Sequence, residues 1–143
     1  MGHPTAYVEI RVTAPDAATA GRLARLLVDE NLAACAKVLP GITSVYRWEG
    51  AVEATEEHLL LIVSKGERFE AIRERVLAEH PYDTPEVLAV PVVAVDARYA
   101  AWLDESVGLS GGRGAADGPE DDSDERVAHR APADGGSSGP APA

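Results

Sequence analysis

Glu79 and His80 stand side by side, leading into Pro81-Tyr82-Asp83-Thr84-Pro85, and they are the residues best suited to metal chemistry in this chain. Imidazole suits Cu(II), and a neighbouring carboxylate can assist it. One His and one Glu are too few for tight binding. His80 also has a structural role open to it, because a helix must end before Pro81 and an imidazolium favours the C-terminal end of a helix dipole. Cys35 is the chain's one cysteine, which excludes an internal disulfide and cannot alone build a zinc site. In its Ala-rich surroundings it reads as a small inert hydrophobe. Tyr46, Arg47 and Trp48 gather near a turn at Glu49-Gly50, and that mixture of aromatic rings and arginine suits a protein interface. Catalytic signatures are lacking: there is no Gly-x-Ser-x-Gly, no His-Glu-x-x-His and no phosphate-binding glycine loop. The carboxylates are numerous but form no diagnostic pair. The expectation is a binding protein and not an enzyme.

Elements must position these residues, and composition bounds what the elements can be. The 143 residues suffice for one domain and a tail. A formal net charge of -11 makes nucleic acid and anionic membranes poor partners. No apolar run is long enough to span a membrane, and MGHPTAYVEI lacks the basic and apolar regions of a signal peptide. A cytoplasmic protein is expected. Residues 1–106 hold 10 Lys+Arg against 17 Asp+Glu, and residues 107–143 hold 3 against 7. Residues 1–5 read as a short extension and 6–106 as the folded domain. Residues 107–143, rich in Gly, Ala and Pro and without an aromatic, read as a disordered acidic tail.

Val8, Ile10 and Val12 alternate with polar neighbours, which marks a half-buried strand. Asp16 then offers an N-cap, and Ala20, Leu23, Ala24 and Leu27 fall on one face of a helix over 17–30. Ala33–Leu39 continues as strand, Pro40-Gly41 kinks it, and a second arm runs to Trp48. The chain turns at Glu49-Gly50 and returns over 51–64, with Leu59–Val63 apolar enough for a central strand. This hairpin is longer than a small domain needs, so its projecting part is expected to be buried on another subunit. Phe69, Ile72 and Val76 line a second helix over 67–79. A fourth strand over 87–95 carries Pro91, an edge signal, and a last helix over 96–105 has Tyr99, Trp102 and Leu103 on its apolar side. The order βαββαβα predicts an α+β, ferredoxin-like subunit. Two helices should cover one face of a four-stranded antiparallel sheet. The other face should lack a helix and pack, there or at the strand edges, on identical subunits.

Thr13-Ala14-Pro15-Asp16, Leu32-Ala33-Ala34-Cys35, Ser44-Val45-Tyr46-Arg47-Trp48-Glu49-Gly50 and His80-Pro81-Tyr82-x-x-Pro85-Glu86 occur in this order, followed by Tyr99-x-x-Trp102. Over residues 6–106 the sequence resembles the CutA family, the divalent-cation tolerance proteins. The resemblance implies a ferredoxin-like subunit in a tight homotrimer, joined through the long hairpin, cytoplasmic in bacterial members and linked to copper and other divalent cations. It also implies structural similarity to PII signalling trimers, which bind small ligands in inter-subunit clefts. It places Glu57, Tyr82 and Trp102, with Tyr46, Arg47 and Trp48, at such a cleft or interface. The chain departs from copper-binding members at Val12, where they can carry Cys, and at Glu79, where they can carry a second His. Where the strand after the hairpin often ends Lys-Thr, this chain has Val63-Ser64. The resulting expectation is a metal-responsive homotrimer with weakly bound Cu(II) or another divalent cation at His80 and Glu79, the ligands pooled by three subunits. The alternative is a PII-like trimer that binds a metabolite or an unidentified protein partner without a metal role.

Overall fold

Alternation decides the sheet. In β1 (Tyr7–Ala14) the even-numbered Val8, Ile10 and Val12 point to one face, and in β3 (Ala51–Lys65) Leu60 and Ile62 join them. The register Ile10↔Ile62 and Val12↔Leu60 sets these side chains beside one another. The computed structural model, which describes residues 6–108, seals this face with α1 (Ala17–Asp29) and α2 (Phe69–Glu79). Leu23, Leu27, Ile72 and Val76 close one continuous core with the strand residues. Burial of such side chains is worth about 1.5–3 kcal/mol each, and it is what holds the layers together.

The sheet order is β2-β3-β1-β4, with β2 (Cys35–Trp48) at one edge and β4 (Val87–Pro91) at the other. All neighbours are antiparallel, so the class is α+β, and the apolar run Leu59–Val63 is central as expected. β4 stops at Pro91 and not at residue 95, the Val92 amide making one last bond to the Tyr7 carbonyl at 3.1 Å, and Pro91 sits on an edge strand as proline prefers. Residues 66–68 form a separate 3-10 turn, so α2 starts at Phe69.

Local chemistry punctuates the chain where expected. The Asp16 carboxylate accepts from the Thr19 amide at 2.7 Å and opens α1. Glu49 and Gly50, at φ 47° and 81°, both take the left-handed conformation that a two-residue hairpin turn requires. The kink at Pro40-Gly41 is a register shift between Leu39 and Ile42, with Gly41 at φ 70°.

The odd-numbered face departs from expectation. The helix α3 (Ala97–Ser106) covers one end of it, where Leu103 and Val107 pack on Ala34, Tyr7 and Val63. Tyr7 donates to the Asp104 carboxylate at 3.0 Å, and the Lys65 ammonium lies 3.0 Å from the same oxygen. Arg68 donates to the carbonyls of Val107 and Gly108 at 3.3 and 2.9 Å. Val107, read from sequence as the first tail residue, is therefore fully buried. The rest of the expected tail lies outside the described residues.

Candidate functional site

β1 and β3 pair only as far as Ala14↔His58. Beyond that point β2 and β3 continue alone, from Ile42↔Glu57 to Trp48↔Ala51, as a two-stranded ribbon. The candidate site lies at the base of this ribbon, where the loop after α2 meets it. Glu57 is 6% exposed, and its carboxylate accepts from the Tyr82 hydroxyl at 3.2 Å. Burial and the adjoining Glu57 charge hold the Tyr82 phenol well above its ordinary pKa, and Tyr46 and Asp16 add to the effect. Glu57, Tyr82 and Tyr46 thus come together within this chain.

His80 fixes the loop that carries Tyr82. Its Nε2 lies 2.8 Å from the Thr13 carbonyl oxygen, which can only accept, so this nitrogen carries the proton. Its Nδ1 accepts from the Tyr82 amide at 3.1 Å. The imidazole is therefore neutral, buried and used at both nitrogens, and its ring lies 4.8 Å from the Tyr82 ring. It ends α2 as expected, donating its own amide to Val76. It does so as an uncharged clamp between β1 and the loop, not as the imidazolium read from sequence.

These contacts bear on metal chemistry. A cation at His80 would have to displace the Tyr82 amide from Nδ1 or the Thr13 carbonyl from Nε2. The neighbouring Glu79 carboxylate faces Arg75 at 3.6 Å, and the Glu79 carbonyl accepts from Arg22 at 3.1 Å. Val12 is buried in the apolar core and contributes no donor. Among the described residues no cluster of three His, Cys, Asp or Glu is set to hold a metal.

Other expected site residues separate. Trp102 lies on α3 against Tyr99, ring centroids 5.2 Å apart, and Leu103 beside it packs at Val63. Val63 is six positions along β3 from Glu57, roughly 20 Å at the usual strand rise. Within this chain Trp102 is thus not part of the Glu57 cluster. Arg47 and Trp48 pair with Val52 and Ala51 at the ribbon tip, exposed. Cys35 is half-buried, with the Lys37 ammonium 3.6 Å from its sulfur. Lys65, the near neighbour of Val63-Ser64, is occupied by Asp104, and the Ser64 hydroxyl donates to the Leu32 carbonyl at 2.6 Å.

Sequence reasoning missed one member of the site, Thr55. Its Oγ1 is buried without a hydrogen-bond partner two residues from Glu57 on β3. Alternation alone places Thr55 on the face of Glu57. Nothing in the sequence signals that its hydroxyl loses water there.

Comparison with known proteins agrees with this architecture. The model of the family described as CutA1 divalent ion tolerance protein matches residues 8–106. A divalent-cation tolerance protein CutA from Pectobacterium atrosepticum is 45% identical over 100 residues, 70% of this chain and 91% of that protein. The protein CutA of Arabidopsis thaliana, described as chloroplastic, is 41% identical over 99 residues, 69% of this chain and 54% of that protein. The family name therefore does not fix a compartment. The structure of the divalent cation tolerance protein Cut A1 from Thermus thermophilus superposes with a TM-score of 0.70 at 40% identity, covering 71% of this chain and 99% of that one. The Pectobacterium and Thermus proteins are named for cation tolerance and not for a catalysed reaction. With a family match that spans every strand and helix of the fold, this chain belongs to the CutA1 family of divalent ion tolerance proteins.

Proposed function

We propose that this chain serves divalent-cation tolerance as a cytoplasmic assembly of three identical ferredoxin-like subunits, meeting Cu(II) or another divalent cation through weak, exchangeable contacts. The observation that carries the reading is the family match over residues 8–106. The ribbon supports the assembly. Val45 and Val52 are 66% and 64% exposed on strands that no other part of the described chain pairs with, and apolar surface of this kind is ordinarily buried on association. The strand order supports the ferredoxin-like plan.

Weak cation contact follows from the donors available. One subunit offers the Glu79 carboxylate and a His80 already used at both nitrogens. A site with useful affinity would pool such groups from several subunits. A metabolite-binding trimer of the PII kind is the less favoured reading, since the relatives' names carry cation tolerance.

Calorimetric titration of the full chain with Cu(II), with mass in solution followed by light scattering, tests the proposal. Three subunits per particle and saturable binding at a whole number of sites, weakened in Glu79→Gln and His80→Ala, is the expected result. Binding unchanged in both variants would remove these residues from the role. An intact assembly that takes up no divalent cation would overturn the cation contact itself.

A further inference from the structure

The Glu57 carboxylate is buried, and its one hydrogen-bond partner among the described residues is a neutral phenol. Carboxylates withdrawn from water are ordinarily matched by a cation, because the lost hydration must be replaced. Several of the chain's cations are committed elsewhere. Arg11 holds Glu9, Arg75 holds Glu30 and Glu79, Arg73 holds Glu70, and Lys65 holds Asp104. No described Lys, Arg or His lies within ion-pair distance of Glu57. The groups around Glu57 deepen the mismatch. Thr55 Oγ1, two residues back on the same strand face, is buried with no partner. Tyr46 and Asp16 add a second phenol and a second carboxylate near Tyr82. The recess brings together carboxylate and hydroxyl oxygens with no Lys or Arg of the described residues paired to Glu57.

We propose that the recess formed by Glu57, Thr55 and Tyr82 binds a cationic nitrogen group, an ammonium or guanidinium, supplied from outside the subunit. Such a group carries both the charge that Glu57 lacks and several N–H donors to divide among the carboxylate, the Tyr82 oxygen and the Thr55 hydroxyl. A divalent metal fits less well, since the described residues form no cluster of three carboxylate, imidazole or thiolate ligands. Two sources share this chemistry. One is a Lys or Arg side chain of a second copy seated on the ribbon, and the other is a free small amine.

The test uses the full chain, its Glu57→Gln variant and Tyr82→Phe. Thermal unfolding and sedimentation are followed with methylammonium or methylguanidinium chloride. Tetramethylammonium chloride, which has the same charge but no N–H, is the control. If the wild-type unfolding midpoint rises with the N–H cations only, and Glu57→Gln abolishes the rise, the recess takes a free amine. If no probe acts but Glu57→Gln weakens self-association by at least about tenfold, the cation is a side chain of the second copy. Should Glu57→Gln fail to fold, Tyr82→Phe, which keeps the carboxylate and removes one oxygen, should lower the response to the N–H cations or the self-association without abolishing it. Unchanged association and an unchanged response to all three salts would overturn the proposal. So would a midpoint that rises with Mg2+ or Mn2+ alone and loses that rise in Glu57→Gln, which would make the ligand a metal. Neither result depends on the copper titration, which reports on Glu79 and His80.

Discussion

The sheet body and the ribbon are built from the same two strands and solve burial in opposite ways. Near Ile62 and Leu60, β3 has β1 on one side, β2 on the other, and helices across its even-numbered face. Past His58 the same strand keeps one neighbour, and beyond the cover that the Tyr82 loop gives Glu57 its side chains lie open, so Val52 and its cross-strand neighbours face outward. Backbone hydrogen bonds join β2 to β3 in both regions. What differs is where the side chains go: into the core of this chain for the body, and onto its exposed surface for the ribbon. The Glu57 recess lies at the boundary, which is why its acid is buried by the fold yet left without a cation by it.

That contrast can be broken most forcefully in the body. Ile62→Ala removes a fully buried side chain and should cost about 2–5 kcal/mol, read as a large fall in the thermal midpoint. Val52→Ala, on the exposed ribbon, should leave the fold of one subunit nearly unchanged. Equal losses at the two positions would mean that the ribbon is structurally internal after all. Next in size is association. Val45→Ser combined with Val52→Ser should shift sedimentation toward single subunits, since each apolar side chain buried in an interface contributes about 1.5–3 kcal/mol. Its circular dichroism should stay that of a folded subunit.

Smaller effects sharpen the comparison at the ends of the elements. Asp16→Ala should cost about 1 kcal/mol by removing the α1 cap. The Thr19 backbone amide, first among the causes, holds the Asp16 carboxyl below its usual pKa. A depressed folded pKa means that this contribution is complete above about pH 4 and disappears as pH falls through the folded value. Denaturation curves of the wild type and Asp16→Ala should therefore converge in acid. The smallest change is at the ribbon tip. Glu49 adopts φ 47°, a conformation that asparagine tolerates better. Glu49→Asn should gain up to about 1 kcal/mol, seen as a modest rise in midpoint.

Much of this architecture was legible in the residues themselves. Period-two alternation in Val8–Val12 and period-3.6 spacing in Ala20–Leu27 are local properties, and each names an element and the face it buries. Asp16, Gly41 and Gly50 mark a cap, a bulge and a turn because backbone geometry restricts what can stand there. Family membership was legible too, since motifs in register over a whole domain identify it without coordinates. Three features were decided only by tertiary structure. The seating of α3 on the odd face depends on Asp104 meeting Tyr7 and Lys65 across 97 and 39 positions. His80 reads as a metal ligand in sequence, but packing brings the Thr13 carbonyl and Tyr82 amide to its two nitrogens and commits both. Glu57 is one acid among many until the chain closes water away from it. Spacing reports which atoms a residue brings, whereas the partner each atom meets depends on distant segments arriving at the same place.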